Sequence, residues 1–214
     1  MNKLQVNFMA TLAMLGLENK AQDVLVNDFK SQLETFKDTH KTIENAQAVH
    51  EQYNNLSKNL TTEKKALEAE VVELKESINN LDVKGDIVAQ VMTINKSIQE
   101  KEERIAGIAS TQLLLGGKAR QDIIDALYEG YKAHKALSSE IYQLIGTVKP
   151  IINQANKAQI VKALQSVVNE LNHLGYILRD ITASVNAERL NYKGVVFSIS
   201  NTSIISAMSQ IERM

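Results

Sequence analysis

Apolar residues along the chain recur mostly at spacings of three and four. From Leu25 one seam runs Leu25, Gln32, Thr39, Ala46, Tyr53, Leu60, Leu67, Leu74, Leu81. A second interleaves with it as Phe29, Phe36, Ile43, His50, Ser57, Lys64, Val71, Ile78. Alternating steps of four and three place both seams on one stripe of a helix and predict about eight heptads of coiled coil. No glycine or proline lies between Glu18 and Lys84, so one continuous helix is expected there.

"LDVKGDIV", residues 81–88, interrupts the repeat. Gly85 suits a left-handed cap and Asp86 suits the N-cap of a following helix. The pattern resumes as Ile87, Ile94 and Ile108 on one heptad position, with Lys101 filling the gap, and Val91, Ile98 and Ile105 on the other. Two heptad stripes joined by a tight turn predict an antiparallel coiled-coil hairpin. Its return arm is expected to stop at Gly107 or at Gly116–Gly117.

A third helix is predicted over 119–147, with Ile124, Leu127, Tyr131, Ile141, Leu144, Ile145 and Val148 on its inner face. Pro150 ends it, because the residue before a proline is pushed out of helical conformation. A fourth is predicted over 151–190, with seams Ile160, Val167, Leu174, Ile181 and Leu164, Leu171, Leu178, Val185. Between Ile141 and Leu178 only Lys149, Lys157, Lys162 and Glu170 are charged. So little charge implies a helix covered on more than one side. At the other end, Leu4, Phe8, Leu12 and Leu15 predict a short amphipathic helix stopped near Gly16.

The stretch "NYKGVVFSISNTSIISAM", residues 191–208, has a different rhythm. Gly194 reads as a helix stop. Val195, Phe197 and Ile199 then alternate with smaller or polar residues as in a strand. Asn201, Thr202 or Ser203 can cap a last short helix carrying Ile204, Met208 and Ile211 at i, i+4, i+7. A lone strand cannot satisfy its own backbone, so this segment must fold back over the bundle root or dock on a neighbour. The candidate partner-binding residues are Val195, Val196, Phe197, Ile199, Ile204, Ile205 and Met208. The expected architecture is all-α: a long antiparallel coiled-coil hairpin on a helical bundle, with a short β-like C-terminal arm. The expected segments are an N-terminal helix (1–17), the hairpin (18–117, turning near 82–86), a two-helix bundle segment (118–193) and a docking arm (194–214).

Composition narrows the chemistry. The 214 residues include one proline, no cysteine and no tryptophan, and the formal net charge is −1. Disulfides and thiolate metal sites are excluded, and no global field draws nucleic acid or anionic lipid. His40, His50, His134 and His173 stand apart, without a second ligand at metal spacing; His50 sits in a seam with His40 beside it, and they read as polar residues that loosen the coil or fix its register. "LLLGGKAR", residues 113–120, lacks the first glycine of a phosphate loop and has Ala119 where Ser or Thr would hold magnesium, so a hinge between helices is expected instead. Residues 105–117 are free of charge but too short to span a bilayer as one helix. No signal peptide or transmembrane helix is read in the chain.

No catalytic, cofactor-binding or metal-ligating residue is predicted, and the protein is not expected to be an enzyme. The expected function, by fold-level analogy, is a structural subunit of a large homo-oligomeric assembly. A phage virion component of a neck or tail ring, or an internal protein, is the favoured setting, located in the virion or in the host cytoplasm before assembly. Its partners would be further copies of itself and neighbouring structural proteins, rather than nucleic acid or membrane. The alternatives are a helical-hairpin component of a bacterial secretion or conjugation machine, and a membrane-active α-helical pore-forming protein.

Overall fold

The computed structural model describes residues 22–81, 86–152, 156–188 and 190–214. The expected helix over 1–17 lies outside them, as does most of the expected hairpin turn (82–85). The described residues form five α-helices: α1 (Gln22–Gln32), α2 (Phe36–Asn79), α3 (Ile87–Val148), α4 (Lys157–Ser184) and α5 (Thr202–Arg213). A 3-10 turn, Lys149–Ile151, follows α3 at the proline. Two short strands, β1 (Asn191–Tyr192) and β2 (Val195–Val196), precede α5. The chain divides into two compact units. One is Val49–Asp122, and the other is built from residues up to Ala48 and from Ile123 onward.

The Val49–Asp122 unit is an antiparallel coiled-coil hairpin. Ile98, Ile108 and Val71 are its buried seam residues, while Leu67, Leu74, Ile94 and Ile105 are half-buried. Two helices can cover only one stripe of each other, which is why burial stops there. Ion pairs flank the stripe: Lys75 with Glu102 at 2.8 Å, Arg104 with Glu63 at 2.8 Å, and Lys101 with Glu70. Further along, Gln112 Nε2 donates to Thr61 Oγ1 at 3.1 Å, and the Tyr53 hydroxyl donates to the Asp122 carboxylate. As one partner's number rises the other's falls, so the pairing is antiparallel. Asp86 caps α3 as expected, its Oδ1 accepting from the Ala89 amide at 3.1 Å.

Two expectations about helix ends are corrected here. The long first helix is broken at Leu33–Thr35, although no glycine or proline lies there. The Thr35 amide is taken by the Glu140 carboxylate at 3.1 Å, and its carbonyl accepts the first bond of α2 from Thr39. Conversely, α3 runs without interruption through Gly107, Gly116 and Gly117, so 113–120 is helix and not a hinge. Each interior glycine costs a helix about 1 kcal/mol relative to alanine. Long flanking helix absorbs that cost, because propagation is cheap once a helix exists.

In the other unit, the N-terminal part of α2, the C-terminal part of α3, and α4 meet closely, and α1 packs on α4. Every expected inner residue of the third helix is buried, as are the seams of α4 apart from half-buried Val185. Gly130 of α3 makes the crossing with α4 close: a Cβ there would lie 2.7 Å from Leu178 Cδ2. Glu170 of α4 is shared by Lys30 of α1 and His40 of α2, whose Nε2 lies 3.0 Å from Glu170 Oε1.

Helix α4 ends at Ser184 and not near 190. Asn186 takes a left-handed φ of 50°, and the Ala187 amide bonds Thr182 O while the Asn186 amide bonds Ala183 O. That pair of bonds is a Schellman cap with asparagine in the glycine position. Gly194 is likewise not a helix stop. Lys193 (φ 51°) and Gly194 (φ 81°) are the two central residues of a turn pairing Tyr192 with Val195. Positive φ at both is what a type I′ hairpin needs. The expected strand over Val195–Ser200 shortens to Val195–Val196, and its partner is this chain's own Asn191–Tyr192.

Candidate interaction surfaces

The proposed partner-binding residues of the arm divide into two groups. Phe197, Ile204 and Met208 are buried within their own unit, together with Ile211. The Phe197 ring stacks on Tyr131 of α3, with centroids 5.0 Å apart and planes 9° from parallel. Ile199 approaches Gly175 of α4, where a Cβ would meet its Cδ1 at 3.2 Å. Val196 and Ile205 remain exposed, at 46% and 57%, and Val195 is half-buried. The chain therefore brings three of the seven into its core and leaves two facing outward.

The polar attachments of the arm sit around this apolar stripe. Lys149 Nζ donates to Gln210 Oε1 (2.9 Å), Lys157 Nζ to Glu212 O (2.8 Å) and Gln165 Nε2 to Glu212 Oε1 (2.9 Å). Arg179 donates to Ile199 O at 3.2 Å. Tyr192 and Lys193 both donate to Asp125 Oδ1, at 2.8 and 2.9 Å, and that carboxylate holds the Lys193 ammonium charged to higher pH than usual. Asn201 begins α5, but its side chain donates to Asn172 Oδ1 at 2.7 Å instead of capping the helix.

A cavity of about 330 Å³ opens between α3 and the arm, lined by Tyr131, His134, Lys135, Ser138 and the 194–201 segment. Two of its titratable groups, His134 and Tyr131, are engaged in structure. His134 is buried and its Nε2 lies 3.1 Å from Leu171 O. A carbonyl only accepts, so Nε2 carries a proton. Burial lowers the His134 pKa, the Leu171 bond opposing this and Arg179 adding to it. Thr182 donates to Leu178 O and therefore accepts from the Tyr131 hydroxyl, whose pKa burial raises. Ser200 of the lining shares a hydrogen bond with the Thr202 hydroxyl, their oxygens 3.0 Å apart. Among the described residues, no group of three His, Asp or Glu side chains converges as a metal site. No described helix is long and apolar enough to cross a membrane.

The second exposed surface lies on the hairpin. Leu113 and Leu114 are 81% and 76% exposed, on the side of α3 opposite the seam residues Ile105, Ile108 and Leu115. Gly107, Gly116 and Gly117 each have open space where a side chain would sit. Nothing within the chain's own packing calls for glycine at these three positions. Charge-free sequence over 105–117 hinted at this region, but an apolar pair beside a seam reads as core until the helix phase is seen.

No family model, no curated protein and no solved structure matches this chain.

Proposed function

We propose that the protein is a non-enzymatic structural subunit of a homo-oligomeric assembly, acting through helix packing and exchange of its C-terminal arm. The observation that carries this reading is the construction of the arm. One apolar stripe, Phe197, Ile204, Met208 and Ile211, seats it on α3 and α4, and the polar ties around it are mostly exposed, the Tyr192–Asp125 and Asn201–Asn172 bonds being half-buried. Such an element can close on its own root or, with the same contacts, on the root of a neighbour. Exposed Val196 and Ile205 would then lie at the junction between copies. The phage-particle setting adds fold-level analogy to this and nothing more.

Solution mass, by light scattering after size exclusion, tests the proposal. The full chain is expected to form a closed oligomer that dissociates when the chain is ended at Lys193. A full chain that stays monomeric at every concentration would overturn it.

A further inference from the structure

We propose that the outward face of α3, centred on Ser110, binds the same face of a second copy in antiparallel register. At 3.6 residues per turn, Glu103, Ala106, Ser110, Leu113, Leu114 and Gly117 share one side of the helix, opposite the hairpin's own seam. All six are exposed. A two-fold axis through Ser110 sets two helices of this sequence against each other with large residues facing small ones. Leu113 of one copy falls beside Ala106 of the other, and Leu114 falls beside Gly107. The open space at Gly107 and Gly117 is then filled by the opposing helix, which gives these glycines a packing role.

Charge complementarity chooses the occupant. Lys101, Glu102 and Arg104 are paired with Glu70, Lys75 and Glu63 within the hairpin, which leaves Glu100 and Glu103 beside one end of the charge-free run and Lys118 beside the other. The same two-fold places Glu100 beside Lys118 of the second copy. A parallel pair would set like charges together at both ends. A lipid surface would instead set the Glu100 and Glu103 carboxylates against its headgroups. An isologous pair satisfies both ends at once and closes as a dimer.

This surface lies wholly within the hairpin and is separate from the arm, so each can fail alone. The chain has no cysteine, which makes Ser110→Cys a unique thiol on the two-fold axis. Mild oxidation of full-length S110C is expected to give a disulfide dimer, while Ser57→Cys, exposed on α2, stays uncrosslinked. The double variant Leu113→Lys, Leu114→Lys is expected to lose hairpin-mediated dimerisation with unchanged helical circular dichroism. Lys118→Glu should weaken the dimer at least tenfold, and adding Glu100→Lys should restore it. Equal crosslinking of S110C and S57C, or failure of that charge swap to restore pairing, would overturn the proposal. So would leakage from phosphatidylcholine–phosphatidylglycerol vesicles by monomeric protein that the Leu113→Lys, Leu114→Lys variant abolishes; that outcome assigns the face to a bilayer.

Discussion

Phe197 is the residue on which the arm turns. Its ring is buried and stacked on Tyr131, whose hydroxyl is held in a chain to Thr182 and Leu178. Phe197→Ala should cost about 3–5 kcal/mol of unfolding free energy in denaturant titrations, as buried aromatic truncations do. Tyr131→Phe keeps the stack and should cost about 1 kcal/mol, one net hydrogen bond. His134 sets a pH dependence. Its folded pKa lies below its unfolded value of 6.5, so the unfolded chain binds the extra proton first. Stability is therefore whole above about pH 6.5 and declines as pH falls through and below that value. His134→Gln should flatten this slope between pH 7 and 5 in thermal unfolding; an unchanged slope would show that other groups set it.

Two kinds of glycine in α3 make opposite predictions at the scale of the element. At Gly130 an added methyl group meets Leu178 at 2.7 Å, so Gly130→Ala should destabilise by about 1–3 kcal/mol. At Gly116 the space is open and the backbone helical, so Gly116→Ala should stabilise by about 0.5–1 kcal/mol. Chemical denaturation of the pair decides both signs. The same helix shows which parts of the fold were legible in sequence. The heptad seams and the Asp86 cap could be read because they depend on neighbours three or four residues away. The break at Leu33–Thr35 could not, since its cause, Glu140, lies far along the chain. Nor could helix continuity through three glycines, because their local cost is outweighed by cooperativity along the whole element. In the arm the alternation was visible, but a partner strand of two residues, Asn191–Tyr192, is too short to leave a pattern. Within the last helix the i, i+4, i+7 spacing already set Ile204, Met208 and Ile211 on one face, and these are buried, while Ile205, off that face, is exposed.

Over the whole molecule, the two units differ in how they hold together. One has many side chains with essentially no exposure, among them Leu127, Leu137, Leu164 and Leu171. The hairpin relies on a stripe that is mostly half-buried and on exposed ion pairs, each worth about 0.2–1 kcal/mol and screened by salt. Amide exchange should therefore be slow across 160–181 and faster across 60–79, with added salt speeding the second region more than the first. Uniform protection along both stretches would show that the hairpin is held by something beyond its own seam. The Lys193–Gly194 turn has a consequence in time. A two-residue hairpin reverses the chain within about 1–10 μs, using only residues beside it. If the arm exchanges as proposed, the hook is remade locally each time it detaches, long before a partner is found. Exchange between subunits would then run at the pace of unseating α5, and not at the pace of rebuilding what it carries.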